Sequence, residues 1–242
     1  MKNMNKGKKR VILVTAVIVL TLVLCCGLYV SDYYRAEDIV MSISASVSVE
    51  NTDDRIAFIP EETEAGLIFY PGGKVEFTAY APLMAKLAEQ NILCVLLKMP
   101  LNLAVLDMDA AEGIPEQYPQ VEHWYLAGHS LGGSMAASFA GKHVDTYTGL
   151  ILLAAYSTAD LRETGLKVCS LYGDRDGVLN LEKYREYQKN LPDDTLELLL
   201  EGGNHAGFGC YGPQEGDGTS SLKSGAQISW TADRIIEFIL EQ

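Results

Sequence analysis

The chain has 242 residues, 48% hydrophobic and 21% charged, and its 32 acidic against 19 basic side chains give a net charge of −13. That composition excludes a disordered or low-complexity polymer, and an acidic balance of this size argues against a nucleic-acid partner. The length suits one α/β domain, large enough to bury a core without disulfide or metal staples.

Charge is unevenly placed along the chain. Residues 1–10 carry Lys2, Lys6, Lys8, Lys9 and Arg10 and no acid, and Val11–Val30 carries no charge at all. Thirteen of those twenty residues are Leu, Ile or Val. At about 1.5 Å per residue they reach about 30 Å, the thickness of a bilayer's hydrocarbon core. The expectation is a transmembrane signal-anchor at 11–30. The basic tail 1–10 stays in the cytoplasm, and the acidic body lies outside a cell membrane crossed once. A cleaved signal peptide fits less well, because its apolar core is shorter and ends in a small-residue site. Nor does Cys25 make a lipoprotein site, since Leu24 stands where a small residue is needed.

A polar stalk, 31–39, leads to a domain at 40–242. Val40–Glu50 alternates, with Ile43, Ala45, Val47 and Val49 on one face and serines on the other, the period of a half-buried strand. Asn51–Asp54 is a turn and Arg55–Pro60 returns, so the sheet opens with a hairpin. Short apolar runs follow at Gly66–Tyr70, Leu93–Lys98, Trp124–Ala127, Gly149–Ala155, Val168–Tyr172 and Leu196–Leu200, and these suit strands buried on both faces. Helical stretches lie between and after them, at Phe77–Gln90, Ala104–Ala111, Leu131–His143, Leu181–Asn190 and Ala226–Leu240. Strand–helix alternation of this kind predicts a doubly wound, mostly parallel sheet of about eight strands. Cys94 and Cys169 fall in buried runs, and no Cys-x-x-Cys or Cys/His spacing points to a metal.

Four places carry chemistry. Gly128-His129-Ser130-Leu131-Gly132 joins a strand to a helix, the context of a nucleophile elbow. Glycines two before and two after Ser130 relieve the sharp turn, and the helix start favours a developing negative charge. A serine needs a base. Of the four histidines, His123 lies at the wrong end of the strand, His143 at the far end of the helix, and His129 points differently off the elbow. His205, in the loop after the last strand, remains. In Gly173-Asp174-Arg175-Asp176-Gly177 both aspartates qualify as the acid that orients the imidazole; Asp176 reaches further and is favoured. Pro71-Gly72-Gly73-Lys74 follows the first parallel strand, where backbone N–H groups can hold an oxyanion. The donors assigned are Leu131 and Gly73, with Lys74 as rival.

The order Ser130, Asp176, His205, the elbow GHSLGG, the PGG turn and the GDRDGV loop resemble the α/β-hydrolase superfamily over about Val40–Leu240. Within it they resemble the compact, lidless dienelactone-hydrolase-like group, here with serine as nucleophile. Only twelve residues separate Ala155 from Val168, too few for a helical lid. The Gly-rich loop Ala206–Lys223 should line the rim of an open pocket. The resemblance implies a hydrolase acting on a small-molecule ester or related acyl bond through an acyl-enzyme, with no cofactor. An acyltransferase with the same triad, or a non-catalytic binding protein on this fold, is the alternative. Oligomeric state is not legible.

Overall fold

The computed structural model describes residues 6–38, 44–223 and 225–240. They divide between Tyr33 and Tyr34 into two units.

The first unit is one helix, α1 (Lys6–Ser31), of 26 residues. At 1.5 Å per residue it is about 39 Å long. Its apolar side chains are exposed all round, Leu13, Leu20 and Leu28 among them. Such a helix has no stripe to pack against a core. Among the described residues it is the one helix long and apolar enough to cross a membrane.

The second unit is an eight-stranded sheet flanked by helices. Its strands are β1 (Val47–Asn51), β2 (Arg55–Pro60), β3 (Ala65–Tyr70), β4 (Ile92–Leu97), β5 (Trp124–His129), β6 (Gly149–Leu153), β7 (Lys167–Gly173) and β8 (Leu196–Leu200). The order is β1-β2-β4-β3-β5-β6-β7-β8. β1 and β2 pair antiparallel and β2 joins β4 antiparallel, while every other neighbour pair is parallel. β3, β4, β5 and β6 are buried along their whole length, which is why they read as unbroken apolar runs. Helices α2 (Ala81–Ala88) and α5 (Ala226–Leu240) cover one face through Leu83, Met84, Ile235 and Phe238. Helix α3 (Leu131–Ala140) covers the other, with Ala136, Ala137 and Phe139 packed on Ile68, Leu126 and Leu152. Helix α4 (Leu181–Tyr187) is tied to β7 by a 2.9 Å bond between the Tyr184 and Ser170 hydroxyls.

Several boundaries differ from the sequence reading. Residues 40–43 lie outside the described residues. Ala45 and Ser46 form a turn rather than strand, and β1 starts at Val47. β1 is an edge strand with only Val47 buried, so Val49 is 44% exposed despite the alternation. The stretch read as a helix over Phe77–Gln90 enters through a 3₁₀ turn at Phe77–Tyr80 before α2. Ala104–Ala111 is not a helix: a single 3₁₀ turn, Ala104–Leu106, is followed by turns. Asp107 and Asp109 are poor helix formers. The buried Tyr70 hydroxyl also takes the backbone of this segment, donating to the Met108 carbonyl at 2.8 Å and accepting from the Ala111 N–H at 3.3 Å. Between β6 and β7, residues 154–166 form no helix, so no lid domain is inserted there. Tyr34 and Glu37, inside the segment read as a stalk, bond to the body. The Tyr34 N–H reaches the Lys74 carbonyl at 2.8 Å, and the Glu37 N–H reaches the Cys210 carbonyl at 2.8 Å.

Candidate active site

The four segments singled out in the sequence all follow the carboxyl ends of parallel strands. The PGG turn leaves β3, the elbow leaves β5, the aspartate loop leaves β7 and the histidine loop leaves β8. In an open parallel sheet this edge is where ligands bind, because the loops there diverge over the strand ends.

Ser130 sits between β5 and α3 with φ 52° and ψ −122°, a conformation that L side chains rarely adopt. The elbow holds that strain through backbone contacts. The Ser130 N–H donates to the Leu153 carbonyl at 2.9 Å, and the Ser134 N–H donates back to the Ser130 carbonyl at 3.1 Å. The flanking glycines are dictated by close approach. A Cβ on Gly132 would lie 2.2 Å from the Pro71 carbonyl oxygen, and one on Gly128 would lie 2.6 Å from the Gly133 nitrogen. Neither neighbour is a side chain that could swing away.

Asp176 and His205 come together. The Asp176 Oδ2 is 2.8 Å from His205 Nδ1, and the two side chains are 0% and 1% exposed. The other oxygen, Oδ1, accepts the Val178 and Leu179 N–H groups at 2.8 and 2.7 Å, which fixes the carboxylate plane. The rival Asp174 faces away. Its Oδ1 accepts the Gly202 N–H at 2.6 Å and its Oδ2 is 3.8 Å from Arg175 Nε. Ser130 Oγ and His205 Nε2 are not hydrogen-bonded here, and Nε2 is buried without a partner among the described residues. In free enzymes a nucleophile–base bond is often long and tightens in the substrate complex.

The PGG turn sorts its own donors. Pro71 has no N–H. The Gly72 N–H donates to the Tyr80 hydroxyl at 3.1 Å, and the Lys74 N–H donates to the Asn102 carbonyl at 2.8 Å. No hydrogen bond among the described residues engages the Gly73 N–H. Gly73 also abuts the elbow, since a Cβ there would lie 2.9 Å from the Leu131 Cδ2. Leu131 is the first residue of α3, so its N–H has no intrahelical acceptor.

Two buried residues join this group that sequence reasoning passed over. His129, 1% exposed, lays its ring 4.5 Å from that of His205. Its Nδ1 is 2.8 Å from the Tyr80 hydroxyl. The Tyr80 hydroxyl already accepts from the Gly72 N–H, so its own proton goes to Nδ1, and neutral His129 carries its proton on Nε2, which is buried without a hydrogen-bond partner among the described residues. Burial, reinforced by His205, holds the His129 pKa well below the ordinary imidazole value, and burial pushes that of Tyr80 up. The chain Gly72–Tyr80–His129–His205 thus couples the PGG turn to the histidine loop. A buried His beside the elbow serine was legible; its partner Tyr80, far off in sequence, was not. His123 and His143 stay clear of the group: His123 precedes β5, and the His143 ring stacks on Phe139 at 4.1 Å. No group of three or more His, Cys, Asp or Glu among the described residues could hold a metal ion.

The Ala206–Lys223 loop opens with a 3₁₀ turn, Ala206–Phe208, and buries Phe208 and Tyr211 in the core. With Lys86, Gln227 and Ile228 it lines a cleft of about 680 Å³ whose lining includes none of Ser130, Asp176 and His205.

Residues 66–229 match the profile of a family described as the alpha/beta hydrolase family. No curated protein matches the chain in sequence. Similar solved structures include TT1662 from Thermus thermophilus, with 14% identity and a TM-score of 0.59, covering 81% of this chain and 99% of that one. Est1E from Butyrivibrio proteoclasticus is 15% identical with a TM-score of 0.56, covering 81% and 98%. A predicted CIB-like hydrolase from Thermoplasma acidophilum is 13% identical with a TM-score of 0.57, covering 81% and 100%. At such identities these likenesses speak to the fold, while the family match spans most of the chain: it belongs to the alpha/beta hydrolase family.

Proposed function

We propose that this chain is a membrane-anchored serine hydrolase that cleaves a carboxylic ester or related acyl bond through a Ser130–His205–Asp176 triad. The observation that carries the reading is the buried 2.8 Å Asp176–His205 pair, whose imidazole ring lies 4.5 Å from that of His129, the residue before the strained, strand-to-helix Ser130. Asp176 keeps the His205 proton on Nδ1, leaving Nε2 to take the Ser130 proton. Ser130 Oγ then bonds to the acyl carbon. The Gly73 and Leu131 N–H groups hold the oxyanion, each such donor contributing about 3 kcal/mol to the barrier reduction. His205 returns the proton to the leaving alcohol. Water, deprotonated by the same Nε2, releases the acid and restores Ser130. Every step uses groups of the chain and water alone. A structure of ferulic acid bound to Est1E adds support, since a carboxylic acid is what an ester hydrolase releases.

The anchor is residues 11–30 within α1, with residues 1–10 in the cytoplasm and the catalytic body outside. Its support is a charge-free span of 20 residues directly behind a basic cluster.

The test is labelling with a fluorophosphonate probe. Wild-type protein should label and hydrolyse p-nitrophenyl acetate, and Ser130→Ala should fold normally and do neither. Full labelling of the variant would place the nucleophile elsewhere.

A further inference from the structure

We propose that Asp217 is a positioning residue of the site, a single carboxylate that clamps the histidine loop to the aspartate loop. The inference rests on the triad reading above. Asp217 lies in the Ala206–Lys223 loop. Its Oδ1 accepts the N–H groups of Gly177 at 3.0 Å, His205 at 3.2 Å and Gly218 at 2.8 Å, and its Oδ2 accepts that of Ala206 at 2.8 Å. One side chain therefore joins the residue after Asp176 to His205 itself. Among the described residues no cation pairs with it. Its charge is met by four converging N–H dipoles, the way a backbone nest holds an anion.

The surroundings are built to bring the carboxylate there. A Cβ on Gly177 would lie 2.4 Å from the Gly216 carbonyl oxygen, and one on Gly218 would lie 2.0 Å from that of Arg175. The two loops thus touch backbone to backbone on both sides of Asp217. From behind, the Asn204 Nδ2 donates to the Gly218 carbonyl at 2.8 Å. The Gln227 side chain grips the Asn204 backbone, accepting from its N–H at 3.1 Å and donating to its carbonyl at 2.7 Å.

Asp176 holds His205 by one bond between two loops that leave different strands. Val178 and Leu179 set the aspartate, and nothing in that grip sets the histidine's backbone. Asp217 does, from a third segment. Its removal leaves the Val178 and Leu179 bonds to Asp176 intact and frees His205 to drift, and a misplacement of about 1 Å can cost about 100-fold in rate. Because Asp217 touches neither of the assigned oxyanion donors, Gly73 and Leu131, and acts through the placement of His205, the loss falls on kcat.

The experiment compares full-length wild type, Asp217→Ala and Asp217→Asn in detergent, by steady-state hydrolysis of p-nitrophenyl acetate. Proton NMR of the far-downfield His205 Nδ1 proton accompanies it. Asp217→Ala should lower kcat about 100-fold with KM within about threefold, and should broaden or shift the Nδ1 signal. Asp217→Asn keeps an oxygen toward Gly177, His205 and Gly218 but turns its NH₂ against the Ala206 N–H, and should recover only part way, to about tenfold below wild type. A folded Asp217→Ala protein with kcat within about threefold of wild type, or with KM raised and kcat unchanged, overturns the proposal. If the alanine variant does not fold, Asp217→Asn decides: lowered kcat with a perturbed Nδ1 signal supports the clamp, and wild-type values of both overturn it. Ser130→Ala run alongside separates the two levels, since full turnover there sinks the triad reading itself.

Discussion

Replacing Asp176 by Asn tests the triad most directly, because the surrounding bonds dictate how the new amide must lie. Oδ1 accepts the Val178 and Leu179 N–H groups at 2.8 and 2.7 Å. An amide keeps its oxygen on that side, since turning its NH₂ there would oppose two donors. The NH₂ is then left 2.8 Å from His205 Nδ1. That contact requires Nδ1 to accept, so the imidazole carries its proton on Nε2 and cannot take one from Ser130. In Ser-His-Asp enzymes this tautomer error lowers kcat about 10⁴-fold, or about 5.4 kcal/mol of barrier. Folding suffers less. Two charge-assisted bonds become neutral, costing about 1–2 kcal/mol and lowering the melting point by a few degrees. Asp174→Asn keeps an oxygen for the Gly202 N–H and touches no imidazole, so it should stay within about tenfold of wild type. The assay is kcat/KM on p-nitrophenyl acetate, with thermal melts to confirm folding. Asp176→Asn retaining more than a tenth of the activity, or Asp174→Asn losing as much, would refute the assignment.

Gly132→Ala should destabilise by more than about 3 kcal/mol, since its Cβ would meet the Pro71 and Tyr70 carbonyl oxygens at 2.2 and 2.3 Å. A urea midpoint equal to wild type would show that the elbow can open. His129 should make stability fall in acid. With its pKa held below 6.5 by burial and His205, the unfolded chain takes up a proton that the folded one refuses. Unfolding free energy therefore drops as pH falls below about 6.5, by up to about 1.4 kcal/mol per unit until the folded pKa is reached. Urea titrations between about pH 7 and pH 5 should show a steeper loss for wild type than for His129→Asn, and equal slopes would contradict it. Full-length protein should stay with membranes through a high-salt wash, which screens charge but leaves hydrocarbon transfer intact. Protease outside the cells should degrade the body. Secreted protein with a new N-terminus near Leu28–Asp32 would make the segment a cleaved signal.

The alternation of apolar runs and helical stretches was enough to read an eight-stranded, mostly parallel sheet, because strands buried on both faces need unbroken hydrophobicity. The elbow was legible for a similar reason. A turn in which Gly132 meets the Pro71 and Tyr70 carbonyls leaves no room for a Cβ, and that demand appears as a glycine at a fixed offset from Ser130. Where competition came from far along the chain, local pattern failed. Ala104–Ala111 looked helical, but the Tyr70 hydroxyl takes its backbone groups.

Within the site, the sequence by itself determined which segments matter and the order in which they follow the strands. Tertiary structure alone decided which groups in them are free and which are taken. Asp174 and Asp176 stand two residues apart with like surroundings in sequence, and they separate because Gly202 meets one and His205 the other. Gly73 differs from Gly72 and Lys74 because Tyr80 and Asn102 occupy the neighbouring donors. His129 was set aside as a base and Asp217 drew no notice, since the partners that give them a role, Tyr80 and Gly177, lie tens of residues distant. Periodicity and turn chemistry record what a residue's chain neighbours require; a loop's hydrogen bonds are settled by whatever the fold brings opposite them.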